Sequence, residues 1–199
     1  MTKQRRASIK KINETPLREG RGAGVLMHIT SLPSPFGTGD LGPEARKFAE
    51  FLHQSGQRYW QILPLSPTGE DQHYSPYSSA STMAGNPLLI SPDLLVDDDL
   101  ITPQDLKKFH VANNGTANFR EASLVRDVLF EKGYRTFLSN SQNHGGFRDF
   151  CRKESYWLDD FALYTVLKAL HEDKPWYEWP APYRNRQQKA LSDINRFHF

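Results

Sequence analysis

The sequence predicts an α/β fold in which one strand-helix-strand unit is followed by a mainly helical segment. Two short apolar runs, Gly24–Ile29 and Arg58–Pro64, lie on either side of a segment whose apolar residues recur at helical spacing. Beyond residue 96 the periodicity stays helical almost throughout, with no further alternation of strands and helices. A strand-helix-strand unit is almost always right-handed and joins parallel strands, so a parallel sheet is expected.

The first strand is predicted at Gly24–Ile29, and the turn-forming residues 30–42 predict the loop after it. Pro43 suits the first turn of a helix, where its missing N–H is not needed, and Gly56 fits the C-terminal cap. The apolar stripe of this helix consists of Ala45, Phe48, Ala49 and Leu52. An amphipathic helix is therefore expected after the first loop.

The second strand is predicted at Arg58–Pro64, a run rich in aromatic and apolar residues that ends at a proline. Ligand sites in parallel α/β folds lie on the loops that follow the carboxyl ends of the strands. The loop Ser66–Pro87 is therefore the candidate ligand site. The segment Asn86–Ile90 is predicted as one more short extended piece.

The helical segment begins with a strong local signal at Thr102. Thr102, Pro103 and Asp105 match an N-cap, a first-turn proline and a capping-box carboxylate, and Ile101 and Leu106 are placed to form a hydrophobic staple. A helix is therefore predicted to begin here.

Two further helices are predicted from apolar stripes, which we interpret as core. The first stripe is Leu124, Val125, Val128 and Leu129, and the second is Leu158, Phe161, Ala162, Thr165, Val166 and Leu170. The aromatic pair Tyr156 and Trp157 precedes the second stripe. The segment Lys174–Tyr183, with four aromatic residues among three prolines, predicts an irregular connection.

Basic charge is concentrated at the N-terminus. Residues 1–21 contain seven Lys or Arg and two Glu, whereas the whole chain has a net charge of +2. Aromatic residues are not interleaved with these basic side chains, as single-stranded nucleic-acid binding requires. We predict a flexible, solvated extension and no nucleic-acid partner.

Composition excludes several other classes of protein. The single cysteine, Cys151, excludes an internal disulfide, and His and Cys residues do not cluster at metal-ligand spacing. Apolar runs fall well short of the roughly 20 residues of a membrane span. We expect a cytoplasmic protein with no membrane partner and no metal.

Four blocks of sequence occur in a characteristic order. They are Gly24–Pro33 with Gly37–Gly42, then Tyr59–Gly69, then Ser75–Tyr77, and then Ala84–Pro87. In this order they resemble the amylomaltase (disproportionating enzyme) family of 4-α-glucanotransferases. The clear resemblance covers about residues 22–95, and Trp157–Leu163 with the Trp-Pro region near Trp179 is similar to the helical insertion of that family.

The resemblance implies a (β/α)8 barrel with helical insertions, of which this chain is an incomplete N-terminal part. A complete barrel typically needs about 250 residues, more than the 199 present. We divide the chain into a basic extension (1–21), the first βαβ unit with the substrate loop (22–96) and a mainly helical insertion (97–199). Alone, such a unit should expose apolar surface and be marginally stable, because a parallel sheet needs covered faces and paired edges.

The resemblance also implies an activity, the transfer of α-1,4-glucan segments between malto-oligosaccharides by a retaining double displacement without a cofactor. Such a reaction uses two carboxyl groups about 5–5.5 Å apart. In the family these groups lie on later barrel strands, in motifs that this sequence lacks. We therefore expect no catalytic residue here and no activity of this chain alone. Asp40 is interpreted as structural, and Asp97–Asp99 with Asp159 and Asp160 as solvated or helix-start carboxylates.

By resemblance, Ser75 and Tyr77 match positions that contact the donor glucan near the cleaved bond. An aromatic ring covers the apolar face of a sugar, while hydroxyls bond elsewhere. Asn86 is the third candidate for substrate binding, although an Asn before Pro also commonly satisfies nearby backbone groups. His28, at the end of the first strand, is interpreted as a structural residue rather than a catalytic one.

One segment departs from the family pattern. Family members often have a glycine-rich turn before Ser-Pro-Tyr, whereas this chain has Glu70–Tyr74 there, and Ser78 replaces a longer amide side chain. Two other interpretations stay open from the sequence: a stand-alone, non-catalytic glucan-binding module, and a nucleic-acid- or partner-binding protein that uses the basic extension.

Overall fold

The computed structural model describes residues 21–111, 115–140 and 144–198. Its strands and longer helices are β1 Gly24–Leu26, α1 Pro43–Gln54, β2 Tyr59–Gln61, α2 Pro92–Asp97, α3 Pro103–Lys107, α4 Phe119–Ser139, α5 His144–Leu170, α6 Ala181–Arg184 and α7 Gln188–His198. The predicted basic extension lies outside the described residues, except for Arg21.

Strands β1 and β2 pair in parallel and are connected by helix α1, which confirms the predicted strand-helix-strand unit. Both strands are shorter than predicted, and Ile29 begins a 3-10 helix instead of ending β1. Val25 lies opposite Trp60 at the centre of the sheet, and the Trp60 indole N–H donates to the Met27 carbonyl at 2.7 Å. The Trp60 ring also packs edge-to-face on Phe48 of α1, with ring centroids 4.9 Å apart. Trp60 therefore contributes to packing α1 on one face of the strand pair, within a cluster that also buries Ala45.

The sheet is small and open. Among the described residues it has two strands of three residues each, and the side chains of Leu26 and Tyr59 are 61% and 45% exposed. A parallel sheet normally has both faces covered and its edges paired or protected. The strand pair therefore presents apolar surface and unpaired backbone groups.

The prediction of an extended segment at Asn86–Ile90 is wrong. Residues Pro87–Leu89 form a short 3-10 helix, and the Asn86 side-chain oxygen accepts the Leu88 N–H at 3.0 Å. Pro87 has a fixed φ that suits a first helical turn, and the Asn86 cap satisfies an amide that a helix start leaves free. Local capping thus decides the conformation, and Leu88 and Leu89 become buried.

The predicted helix start at Thr102 is confirmed. Helix α3 begins at Pro103, and the Asp105 carboxylate accepts the Thr102 N–H at 2.9 Å to form the capping box. Ile101 is buried, and Leu106 packs against the same core cluster, as a hydrophobic staple requires. Lys132 of α4 donates to Asp105 at 2.5 Å, so the cap also joins α3 to α4.

Replacement of Asp105 by Asn is expected to lower the melting temperature most strongly near neutral pH. Hydrogen bonds from Lys132 and Thr102 hold the pKa of Asp105 well below its usual value. A carboxylate with a depressed pKa stabilises the fold above its unfolded pKa of about 3.9, and this stabilisation is lost as the pH falls through the folded-state pKa.

Thermal unfolding followed by circular dichroism from about pH 7 to about pH 3 measures this effect. The difference in melting temperature between wild type and Asp105→Asn should shrink below about pH 4. Asp98→Asn, which changes an exposed carboxylate, is the matched control. A difference that stays constant with pH would contradict the proposed contribution of the charge.

The two long helices are where predicted, but α5 begins earlier than the sequence indicates. Asp159 and Asp160, predicted at a helix start, lie inside the helix, which starts at His144. Phe147 packs edge-to-face on Phe137 of α4, with ring centroids 5.5 Å apart. The helix includes the two glycines before Phe147 despite their low helix propensity. The contact between Phe147 and Phe137 accompanies this early start.

The predicted core stripes are only partly correct. In α4, Val125 and Leu129 are buried, but Leu124 and Val128 are 61% and 52% exposed. The buried residues of α5 are Leu163 and Leu167, which differ from its predicted stripe. They form one cluster with residues beyond α5, namely Trp179, Leu191 and Ile194. The connection Lys174–Tyr183 is irregular as predicted, apart from a 3-10 turn and the start of α6.

Candidate functional site

The candidate site is the loop that leaves the carboxyl end of β2. Its base is closed where the Asn86 N–H donates to the Leu65 carbonyl at 2.8 Å. The Asn86 side-chain amide also donates to the Thr68 hydroxyl at 3.0 Å, and its oxygen accepts the Leu88 N–H. Asn86 is buried and braces the loop, and its predicted contact with substrate stays a prediction.

Tyr77 is the most accessible aromatic side chain of this loop, with 75% of its surface exposed. The Ser75 hydroxyl oxygen accepts the Tyr77 N–H at 3.4 Å, and the Ser75 carbonyl accepts the Ser78 N–H at 3.2 Å. The two bonds fold Ser75–Ser78 into a turn that holds the backbone while the ring stays open to solvent. The arrangement suits stacking on a flat apolar ligand face.

The segment that departs from the family pattern has an unusual backbone. His73 and Tyr74 have positive φ values of 51° and 55°, in the left-handed region that favours glycine. Each non-glycine residue there costs about 1–2 kcal/mol. The chain therefore keeps a glycine-like turn with two bulky side chains, and contacts elsewhere must offset the strain.

Two side chains of this segment make those contacts with the long helices. The Tyr74 ring stacks on Phe119 of α4 at a centroid distance of 5.0 Å. Asp71 accepts a hydrogen bond from Lys168 of α5 at 2.6 Å. Burial would lower the pKa of Lys168, but the hydrogen bond and charge of Asp71 outweigh it and raise that pKa. The helical segment thus fixes the loop on two sides.

His28 links the carboxyl ends of the two strands. Its Nδ1 accepts the Leu63 N–H at 3.3 Å, so the neutral ring carries its proton on Nε2. Burial lowers the pKa of His28, which favours this neutral form. The geometry agrees with the structural role expected for this residue.

Asp40 is a structural residue, held in a buried ion pair with Arg126 of α4. The Arg126 guanidinium lies 3.2 Å from the Asp40 carboxylate, and the two side chains are 1% and 8% exposed. The carboxylate also accepts the Gly42 N–H at 2.9 Å. Burial raises the pKa of Asp40, and the charge of Arg126 and the Gly42 hydrogen bond oppose the increase. The pair attaches the loop after β1 to the helical segment.

The other carboxylates singled out from the sequence do not gather at the loop. Asp97, Asp98 and Asp99 are exposed at and beyond the end of α2, and Asp160 pairs with Arg186. Within the described parts of the chain, His, Cys, Asp and Glu form no group of three or more that would hold a metal ion. Likewise, no helix described here is long and apolar enough to cross a membrane.

Comparison with known families decides what kind of protein this loop belongs to. The profile described as 4-alpha-glucanotransferase matches residues 27–198, which begin directly after β1 and include β2, the loop after it and the long helices. The chain belongs to the 4-alpha-glucanotransferase family. The family resemblance seen in the four sequence blocks is thereby confirmed and extends through the helical segment.

Similar proteins carry the same description. A 4-alpha-glucanotransferase of Aquifex aeolicus is 42% identical over 184 residues, which cover 90% of this chain and 36% of the relative. One from Thermus thermophilus is 38% identical over 175 residues, covering 87% of this chain and 34% of the relative. The chain therefore spans about a third of the length of the curated relatives it matches.

A solved structure confirms the family at the level of the fold. The amylomaltase of Streptococcus agalactiae in complex with acarbose superposes with a TM-score of 0.82 at 34% identity. The superposition covers 89% of this chain and 36% of that one. The α/β architecture with mostly helices is thus shared with the matching part of an amylomaltase.

The sequence did not identify the helix residues that bind the loops after the two strands. Arg126 and Lys168 lie in helices far along the chain, yet they bind the loops after β1 and β2. The sequence does contain a signal for Arg126, because it lies beside the apolar stripe of a predicted helix. A charged side chain in such a place is rarely buried unless it is paired. Lys168 carries no such signal.

Proposed function

We propose that this chain is the N-terminal part of a 4-α-glucanotransferase that transfers α-1,4-glucan segments between malto-oligosaccharides. In this proposal β1, α1 and β2 form the first unit of a (β/α)8 barrel, and the later helices form an insertion. The observation that supports it best is family membership across residues 27–198. The loop after β2 then supplies part of the donor-glucan site.

Within that site we assign the first contacts to Tyr77 and Ser75. The exposed Tyr77 ring offers an apolar surface for one face of a glucose unit, and the Ser75 hydroxyl lies on the same turn. Asn86 fixes the base of the loop and would reach sugar only after exchanging its bond to Thr68. We therefore expect Tyr77 to contribute more to binding than Asn86.

We assign no catalytic residue to this chain. A retaining transfer requires a nucleophilic carboxylate and an acid-base carboxyl group about 5–5.5 Å apart. The carboxylates around the loop have other partners: Asp40 is paired with Arg126, and Asp71 is paired with Lys168. The proposal therefore places the reacting pair in a part of the enzyme beyond these 199 residues. It also takes the reaction to need no cofactor and the enzyme to act in the cytoplasm.

Replacement of Tyr77 by Ala is expected to weaken maltoheptaose binding by about tenfold or more. Removing the contact forfeits burial of one aromatic side chain against sugar, worth about 1.5–3 kcal/mol, and 1.4 kcal/mol corresponds to a factor of ten. Isothermal titration calorimetry of the purified chain measures the change. The ring is largely exposed, so the variant should keep the wild-type melting temperature.

The matched control is Tyr134→Ala, which removes a 55% exposed tyrosine from α4. This variant should bind maltoheptaose as the wild type does. In the same preparations, incubation with maltotriose should yield neither glucose nor longer oligosaccharides. Unchanged binding by Tyr77→Ala would refute the assigned contact, and redistribution of chain lengths would refute the absence of a catalytic pair.

A further inference from the structure

A second aromatic surface lies on α5, close to the donor loop. Trp157, Asp160, Phe161 and Tyr164 follow one another at spacings of three, one and three residues, which places them on one face of the helix. This face and the loop residues Ala80 and Ser81 line an open hollow of about 320 Å³. The volume falls within the range of small-molecule sites, which is about 300–1,000 Å³.

A second hollow lies next to the first on α5. It has a volume of about 240 Å³ and shares Asp160 and Tyr164 with the first. Its wall is formed by the connection after α5 and by the short helices that follow, chiefly through Trp176, Trp179, Tyr183, Arg184 and Arg186. The two hollows are therefore neighbours on α5, and together they are called the α5 groove below.

The rim of the groove exposes large aromatic side chains. Tyr156 is 72% exposed and Trp176 is 53% exposed, although both side chains are mainly apolar. Neither contributes to the buried cluster of the C-terminal helices. Tyr156, which precedes the stripe predicted as core, and Trp176, in the irregular connection, thus supply a surface of rings, which suits stacking on a ligand with flat apolar faces.

The groove contains a charged pair that is exposed to solvent. Asp160 accepts a hydrogen bond from Arg186 at 2.5 Å, and both side chains are about two-thirds exposed, at 66% and 63%. An exposed ion pair contributes only about 0–1 kcal/mol to stability. These groups can therefore turn to bind ligand hydroxyls at little cost, and alternating rings and charged groups match the apolar faces and hydroxyl edges of a sugar chain.

A short segment held by its own hydrogen bonds connects the Tyr77 turn to the groove along the chain. The Ser79 hydroxyl donates to the Ser81 carbonyl at 2.9 Å, and the Ser81 hydroxyl oxygen accepts the Ala84 N–H at 3.0 Å. Ser81, which lines the groove, is therefore held only four residues after Tyr77. The groove therefore has a lining residue close in the chain to the ring that we assign to the first glucose unit.

We propose that the α5 groove binds the distal glucose units of a malto-oligosaccharide whose first units contact Tyr77. The proposal rests on the proposed function, since it takes the ligand of the donor loop as its own. It assigns Tyr156 and Trp176 as stacking residues and Asp160 with Arg186 as hydroxyl-binding residues. The groove therefore makes binding depend on glucan length.

Calorimetric titration of the 199-residue chain with maltotriose and with maltoheptaose tests the proposal. Wild type should bind maltoheptaose more tightly than maltotriose. Tyr156→Ala and Trp176→Ala should each weaken maltoheptaose binding by about tenfold and change maltotriose binding by less than about twofold. Tyr77→Ala should weaken the binding of both sugars, and Tyr134→Ala should weaken neither.

The outcomes separate the groove from the donor loop. If only Tyr77→Ala weakens binding, the α5 groove is refuted and the proposed function stands. If only the groove variants weaken binding, the groove is a glucan site and the Tyr77 contact is wrong. If wild type binds neither sugar, both proposals fail. Equal melting temperatures of the variants exclude unfolding as the cause of any loss.

Discussion

Replacement of Arg126 by Met is expected to lower the free energy of unfolding by about 3–5 kcal/mol, because it leaves the Asp40 carboxylate buried without a counter-charge. Arg126 is 1% exposed, and its guanidinium lies 3.2 Å from that carboxylate. A single domain is stable by only about 5–15 kcal/mol. Loss of one positive charge from α4 therefore removes a large part of the stability.

The substitution also removes hydrogen-bond donors from several backbone carbonyls. The Arg126 side chain donates to the carbonyls of Phe36 at 3.0 Å, Ala122 at 3.3 Å, Thr38 at 3.4 Å and Ile90 at 3.4 Å. A buried acceptor without a partner costs about 1–3 kcal/mol. Three of these carbonyls lie outside α4, in the segments after β1 and before α2. We expect those segments to loosen with the ion pair.

Urea unfolding followed by circular dichroism measures the change in free energy. Arg135→Met is the matched control, since Arg135 pairs with Glu131 on the surface of the same helix and its loss should cost at most about 1 kcal/mol. The double variant Arg126→Met with Asp40→Asn should recover part of the loss, because the buried charge is gone. Equal destabilisation by Arg126→Met and Arg135→Met would contradict the argument.

Features decided by neighbouring residues were predictable from the sequence. Pro43 and Gly56 set the limits of α1, and Thr102 with Asp105 set the start of α3. In each case a fixed φ, a positive φ or a side-chain cap acts within one helical turn. The same physics explains the error at Pro87, where the cap formed by Asn86 was read as part of an extended segment.

Features decided by distant residues were not predictable in this way. Asp40 and Arg126 are 86 residues apart, and neither residue type indicates the other as its partner. The early start of α5 coincides with a contact between Phe147 and Phe137, and Gly146 argues against a helix there. Local signals therefore predict the elements and their capped limits, whereas contacts between distant residues attach the elements to one another and accompany the early start of α5.

The candidate site likewise has features that the sequence indicates and features that depend on distant residues. Resemblance to family motifs selected Ser75 and Tyr77, and the structure adds that they share one turn with an open ring. Phe161 belongs to a stripe predicted as core, although it also lines the groove, because helical spacing alone does not distinguish a buried stripe from an exposed one. The groove depends on loop residues about 80 positions earlier in the chain, such as Ser81.

Replacement of Trp179 by Ala is expected to cost about 3–5 kcal/mol, the usual range for removing a buried Trp. Trp179 is 5% exposed in the cluster that joins α5 to α7, and its indole N–H donates to the Lys174 carbonyl at 2.9 Å. Its ring also lies between those of Tyr164 and His171, each 5.6 Å away between centroids. Trp176→Ala, which removes the exposed neighbour, is the matched control and should stay within about 0.5 kcal/mol.

The location of this loss tests how the fold is divided. The Trp179 cluster and the cluster beneath β1 and β2 have no buried residue in common. Hydrogen exchange in Trp179→Ala should therefore rise in the amides of α5 and α7, while the Met27 amide, which donates to Gln61 at 3.0 Å, keeps its protection. Loss of protection at both places would mean that the clusters unfold together and that Lys168 and Asp71 transmit stability as well as position.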